Sequence, residues 1–347
     1  MNIADGPACV IWDMTYACPL RCVHCYSESG RRATRQLSYE DMLRIADAIC
    51  SLRPPTVLLS GGEPFAVKGV FEVAERISRA GVEVDVYTSG WFLDLRMIER
   101  IPDSFSHVTV SLDGATPEVH DRIRGRSGSF DRAMNALAML DGAARELRTT
   151  GAGRLDFGID CVMIRGNFHQ MGEFCTSIAP RFPELGHLLF GAAVPSGLAG
   201  RAEFADEELL TEDQIRVLND AAHLTWLRSL SPPSVQVYTT DNSALQMRPD
   251  LIAQEVFFPA MQIEPDGEVR AMPIYEGSVG NILTGSPAEL WQKSVARWSD
   301  PFVVETLAPV RTMKEWAAAA RQIDYRFGSP EVLARIDRRP RYQEPAT

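Results

Sequence analysis

Six short apolar runs recur between residues 8 and 193. They are "ACVIWDM", "TVLLS", "EVDVYTS", "HVTVSLDG", "LDFGIDCVMI" and "HLLFGAA". Stretches with helical periodicity separate them, such as "LSYEDMLRIADAICSL", "VFEVAERISRAG" and "FDRAMNALAMLDGAAREL". Runs of strand length alternating with amphipathic helices demand a parallel sheet with helices packed outside it. Six β-α units are too few for the eight-stranded closed barrel, so the pattern predicts an open, partial (β/α)6 barrel. Local punctuation agrees. Ser38 and Asp41 form a capping box at the first helix, Pro54–Pro55 ends it, and Gly81 stops the second. A further helix is predicted near residues 170–179.

The pattern changes after about Ala199. "TEDQIRVLNDAAHLTWLRSL" reads as a helix opened by a Thr211–Gln214 capping box, and "MQIEPDGEVRAMP" as a hairpin turning at Asp266–Gly267. "SPAELWQKSVARW" reads as a helix opened by Ser286, Pro287 and Glu289. The expectation is a barrel over residues 1–199 and a smaller α+β appendage with a helical tail over residues 200–347.

Composition narrows the function classes. A chain of 347 residues with 45% apolar and 23% charged residues has an ordinary globular balance. A net charge of -11 argues against nucleic acid and against an anionic membrane surface. The N-terminus lacks a signal-peptide pattern and no run reaches membrane-spanning length, so a cytoplasmic protein with reduced thiols is expected.

Three of the seven cysteines, Cys18, Cys22 and Cys25, sit in "CPLRCVHC" just after the first strand. The spacing C-x3-C-x2-C suits three irons of a [4Fe–4S] cluster with the fourth iron open. A zinc site completed by His24 is the alternative, although His24 lies awkwardly between two ligands. "GGEP", "TSG" and "SLDG" also follow predicted strands. In a parallel sheet the carboxyl ends of the strands share one edge, so these motifs share one site.

C-x3-C-x2-C after a first strand, with "GGEP" after the second, resembles the radical S-adenosylmethionine (SAM) superfamily. The resemblance covers residues 8–195. It implies a [4Fe–4S] cluster on Cys18, Cys22 and Cys25 whose open iron chelates SAM. Reductive cleavage then gives a 5′-deoxyadenosyl radical that abstracts hydrogen from substrate. An external one-electron reductant such as flavodoxin or ferredoxin is implied as well. In SAM binding, Gly61, Gly62 and Pro64 would shape the backbone and Glu63 would accept from the SAM ammonium. Ser89 stands where the family usually has Asn. Ser111 and Asp113 would face the ribose, Arg124 the SAM carboxylate, and Val162 or Met163 the adenine.

"TPEVHDRIRGRSGSFDRAMNAL" and "VPSGLAGRA" resemble the branch with a C-terminal SPASM or twitch domain. That domain binds auxiliary clusters through cysteines. Here Ala260 or Met261 and Met272 stand at the expected positions, and no cysteine follows Cys175. Methionine fills cores and ligates such clusters poorly, so the appendage is expected to be cluster-free. A substrate radical would then need a hydrogen donor, and Cys161 near the end of the fifth strand is the candidate. Cys9, Cys50 and Cys175 lie on apolar faces and are expected in the core.

Only seventeen residues precede Cys18. A leader-binding domain of the kind many peptide maturases carry is therefore not expected ahead of it. The reading that follows is a small polar metabolite (sugar, aminocyclitol or nucleoside) undergoing dehydrogenation, decarboxylation, elimination or epimerisation in natural-product biosynthesis. Asp13, Asp160 and Arg165 are candidates for binding it. The alternatives are a maturase of a ribosomally made peptide and a non-catalytic iron–sulfur module. The intact "GGEP" speaks against the last.

Overall fold

The computed structural model describes residues 6–33 and 37–342. Its ten strands form one sheet: β1 (Cys9–Thr15), β2 (Thr56–Gly61), β3 (Glu83–Thr88), β4 (His107–Ser111), β5 (Phe157–Met163), β6 (His187–Ala192), β7 (Gln236–Thr240), β8 (Ala260–Ile263), β9 (Glu268–Arg270) and β10 (Ser278–Asn281). The spatial order is β10-β9-β8-β1-β2-β3-β4-β5-β6-β7.

All six predicted strands are present and parallel. The sheet is wider than expected. β7 adds parallel to β6, and β8 adds parallel to β1, so residues beyond 200 extend both edges. The expected boundary near residue 200 is therefore not a break in the sheet. Eight strands run parallel, yet β7 and β8 do not meet, and the barrel stays open.

Alternation assigns the two faces. On β2, Val57 and Leu59 are fully buried against helices, while Thr56, Leu58 and Ser60 are half-buried toward the lumen. Helix α1 (Tyr39–Ser51) buries Met42, Ile45, Ala46 and Ile49, one stripe of a 3.6-residue period, and Ser38 caps it by accepting from the Asp41 N–H. Helix α2 (Val70–Arg79) likewise buries Val70, Phe71, Val73, Ala74 and Ile77. Each large aliphatic side chain so buried contributes about 1.5–3 kcal/mol. Helices α3 (Leu95–Ser104), α4 (Pro117–Arg124) and α5 (Ser129–Thr150) complete this layer.

Two local expectations change. The segment predicted as a helix near 170–179 is irregular and includes a π-helical turn, Phe174–Ile178. Ser286 makes no side-chain capping bond, and Pro287 opens that helix. The Thr211–Gln214 capping box and the turn at Gly267, with φ +85, are as predicted.

The C-terminal part packs into the same apolar core as the barrel. Trp316 Nε1 donates to the Tyr275 hydroxyl at 2.9 Å, and that hydroxyl donates to the Gln246 carbonyl at 2.7 Å. Ala260, Met261 and Met272, where auxiliary-cluster cysteines were sought, are fully buried core residues. The last helix, Pro330–Asp337, returns the chain to the cysteine loop. Among the described residues, no helix is long and apolar enough to cross a membrane.

Candidate active site

The cysteine loop leaves the carboxyl end of β1 and is gripped by backbone from several sides. Gly62 N–H donates to the Thr15 carbonyl at 2.6 Å, and Glu63 N–H to the Ala17 carbonyl at 2.9 Å. From the end of α4, the loop gains Arg21 N–H to Arg124 O at 3.0 Å and Val23 N–H to Ile123 O at 2.9 Å. Beyond β6, Leu198 N–H donates to Cys25 O at 3.0 Å. This contact with "GGEP" explains the glycine at 62, where a Cβ would lie 2.2 Å from the Ala17 carbonyl oxygen.

Cys22 is buried, and Cys18 and Cys25 are partly exposed. Burial, with the neighbouring Cys22, pushes the Cys18 thiol up to about 12. Burial also raises Cys22 to about 11, against the pull of the Arg124 guanidinium. Arg124 Nη1 donates to Cys22 Sγ at 3.8 Å. The donor set fits a cationic cluster that would hold these thiols as thiolates.

Among the described residues no three His, Cys, Asp or Glu side chains converge on one metal ion. A cubane differs, because its three thiolates bind three separate irons. His24, the proposed fourth zinc ligand, is instead engaged: its Nε2 lies 2.8 Å from Asp113 Oδ2.

Glu63 is fully buried. Its Oε1 accepts from Thr88 Oγ1 at 2.8 Å and from Phe65 N–H at 3.2 Å. Its Oε2 accepts from Ser89 N–H at 2.8 Å and from the Ser89 hydroxyl. Burial raises its carboxyl above the usual range, and these donors oppose the rise. Glu63 therefore ties the end of β2 to the end of β3. A SAM ammonium would join or replace one of these donors. Ser89, at the family's usual Asn position, acts here through Glu63. Pro64 is buried and opens a short 3₁₀ turn.

Asp113 is a buried hub. Its Oδ2 lies 2.6 Å from Arg124 Nε, an ion pair not aligned as a hydrogen bond, and its Oδ1 accepts from Val162 N–H at 2.9 Å. Burial alone would raise its pKa, but Arg124 and His24 hold it well below the carboxylate range. Asp113 and Arg124, assigned from the resemblance to ribose and SAM carboxylate, pair with each other. Their physical effect is to link the cysteine loop, α4 and β5. Asn167 reinforces the link, its Nδ2 donating to the carbonyls of Asp113 and Val162, each at 2.9 Å.

Ser111 remains half-buried at the end of β4, paired with Asp160 of β5. Val162 is half-buried and packs against the core, and Met163 is fully buried. Asp160 alternates to the side opposite Phe157, Ile159 and Cys161, and burial with the nearby Asp113 charge lifts it to about 7. Asp13 accepts from the Tyr26 hydroxyl at 2.6 Å and from Gln262 Nε2 at 2.9 Å. Arg165 donates to the carbonyls of Leu209 and Asp206, a structural task.

Cys161 lies in the core, with Asn167 Nδ2 3.7 Å from its sulfur. It shares the helix-facing side with Phe157, Ile159 and Met163, is fully buried, and burial lifts its thiol well above its ordinary range. Cys9 and Cys175 are buried as expected, and Cys50 is half-buried. The roles of His24, Tyr26, Asn167 and Glu28 were not read from sequence, although His24 and Tyr26 flank the third loop cysteine.

The sequence matches the Radical SAM superfamily pattern over residues 12–151. Mycofactocin maturase MftC of Mycolicibacterium smegmatis is 36% identical over 179 residues, which is 51% of this chain and 43% of that protein. The AdoMet-dependent heme synthase of Methanosarcina barkeri is 32% identical over 140 residues, 40% of each. The chain thus spans under half the length of these curated relatives. In fold, it resembles Streptococcus suis SuiB bound to precursor peptide SuiA, with TM-score 0.62 and 13% identity over 90% of this chain and 71% of that one. Thiols, "GGEP" and open parallel sheet agree with this pattern: residues 12–151 carry a radical SAM superfamily domain, and the fold of the chain resembles that of SuiB.

Proposed function

We propose that the chain is a peptide-modifying radical SAM enzyme. The superfamily's [4Fe–4S] cluster and SAM supply a 5′-deoxyadenosyl radical, and a flavodoxin- or ferredoxin-type donor provides the electron. Cys18, Cys22 and Cys25 would hold the cluster. Gly62 admits the close backbone approach, Glu63 fixes the neighbouring strand ends, and the Asp113–Arg124–His24 linkage holds the loop rigid. Of the polar groups at the strand ends, Ser111 and Asp160 would meet the substrate, whereas Asp13 is fully buried against Tyr26 and Gln262.

Sequence alone favoured a small polar metabolite. The observation that carries the peptide reading is the similarity to a maturase, accompanied by a fold likeness that runs past the barrel into the C-terminal strands. The similarity to a heme synthase keeps a metabolite substrate as the second reading.

The test is anaerobic turnover of reconstituted protein with SAM, a reductant and peptides encoded beside its gene. The expected result is 5′-deoxyadenosine formation matched by a mass change in one peptide. Matched turnover of a metabolite, with every peptide unchanged, would overturn the proposal.

A further inference from the structure

Three exposed arginines stand on the outer rim of the cysteine loop. Arg21 Nη1 donates to the carbonyls of Cys18 at 3.0 Å and Leu20 at 2.8 Å. Arg126, just beyond α4, donates from Nη1 to the Pro19 carbonyl at 2.7 Å. Its guanidinium also lies over the Trp91 ring, 4.2 Å from the centroid, and Arg132 of α5 approaches the same ring at 5.4 Å. Carbonyls and a π face hold these groups in place without cancelling their charge. Among the described residues, the ion pairs of this region involve Arg124, Arg335 and Arg339, and none involves Arg21, Arg126 or Arg132. Asp121 of α4 is taken by the Gly128 and Phe130 N–H groups and the Ser129 hydroxyl. Asp131 precedes Arg132 on α5, but adjacent helix positions do not share a face.

The rim lies over the thiols themselves. Arg21 and Arg126 sit on the backbone of Cys18 and of the residue after it, and Cys18 and Cys25 are partly exposed. Arg132 projects from the exposed face of α5, on the helix side of the sheet, so a substrate in the lumen does not meet it. A protein that only delivers an electron has no need of the lumen. With a net charge of -11 the chain as a whole repels an acidic protein, and a local positive rim is where such a partner settles. Trp and Arg are side chains that interface centres favour, and electron-transfer encounters are small, under about 1,200 Å² in total.

We infer that this rim docks an acidic one-electron carrier protein of the flavodoxin or ferredoxin type. The inference rests on the radical SAM reading, in which such a carrier supplies the reducing electron. One electron leaves the carrier and one reaches the cluster, and no bond forms or breaks in that step.

The test is calorimetric titration of the reconstituted full chain with oxidised flavodoxin and with oxidised ferredoxin, at low and at high salt. At least one carrier should bind the wild type, and salt should weaken it. Arg132→Glu, which lies off the loop, should weaken binding about fivefold or more, and the double variant with Arg126→Glu about tenfold or more. Bleaching of the cluster by the reduced carrier should slow in step, while bleaching by dithionite keeps its wild-type rate. If the double variant loses iron, Arg132→Glu decides the matter alone. No binding of either carrier, unaltered affinity in Arg132→Glu, indifference to salt, or equal slowing with dithionite would overturn the inference. SAM cleavage driven by dithionite checks the radical SAM reading separately. Its failure would remove that reading, whereas binding is read without turnover and decides the docking either way.

Discussion

Arg339 and Glu28 meet across 311 positions of sequence, with Arg339 Nη2 donating to Glu28 Oε1 at 2.8 Å. Arg335 Nη1 donates to the same oxygen at 2.9 Å. Glu28 follows the last loop cysteine by three residues and has a left-handed backbone, φ +56. The end of the chain thus clamps the loop that carries the cluster ligands. Replacing both arginines by alanine leaves Glu28 buried without its partners, a cost of about 3–5 kcal/mol. The expected outcome is faster iron loss to a chelator after reconstitution, with far-ultraviolet dichroism unchanged. Wild-type iron retention in the double variant would detach the helix from the loop's function.

Iron content tests the three-thiolate assignment directly. Reconstituted protein should hold about four irons and four sulfides per chain, as one [4Fe–4S] cluster requires. Substituting Cys18, Cys22 and Cys25 together by alanine should abolish the brown absorbance. A reproducible second cluster, seen by electron paramagnetic resonance, would contradict the apolar packing at Ala260, Met261 and Met272.

Glu63→Ala removes the acceptor of four donors at the ends of β2 and β3. It should lower folding stability by at least about 2 kcal/mol, because Ser89 N–H and Thr88 Oγ1 lose their partner. SAM affinity should fall with it. Denaturant titration and SAM binding separate the two effects. Undiminished SAM affinity in a folded variant would confine Glu63 to structure.

The stacked pair His107 and His187, ring centroids 4.8 Å apart, spans Gly158 on the lumen side of β4, β5 and β6. A Cβ at Gly158 would lie 2.3 Å from the His187 ring. Burial, and then the His107 charge, lowers His187 from 6.5 to about 4. Between these values the unfolded chain binds the proton and the folded chain does not. Stability should therefore fall on acidification through that window, by up to about 3 kcal/mol from this residue. Asp13 and Asp85, both raised to about 6 chiefly by burial, act in the opposite sense, so the test is a difference. His187→Gln should be less sensitive than wild type between pH 6.5 and 4 in denaturant midpoints. Parallel curves would acquit the histidine.

What the sequence made legible follows from range. The six strands, the helix caps and the motif-bearing strand ends depend on neighbours in sequence, and apolar runs or capping residues announce them. β7 escaped notice because "QVYTT" is short and only Val237 is fully buried. The parallel pairing of β8 with β1 could not be read from a hairpin signal that describes only β8 and β9. Asp113 illustrates the limit at the site, because its partners His24, Arg124 and Val162 come from three other segments. Cys161 is different: the alternation "FGIDCVM" already places it on the face opposite Asp160, and that signal was available.

The strand that completes the sheet beside β1 is β8, and the register pairs Cys9 with Ala260. A contact of such sequence separation forms only after most of the chain has left the ribosome, and long loop closure slows it further. Until then β1 has β2 on one side and bare amide edge on the other, directly beneath the three cysteines. The clamp from the last helix arrives later still. Assembly therefore has a built-in order, in which the thiols are presented early and enclosed only once β8 and the Pro330–Asp337 helix have been made and have docked.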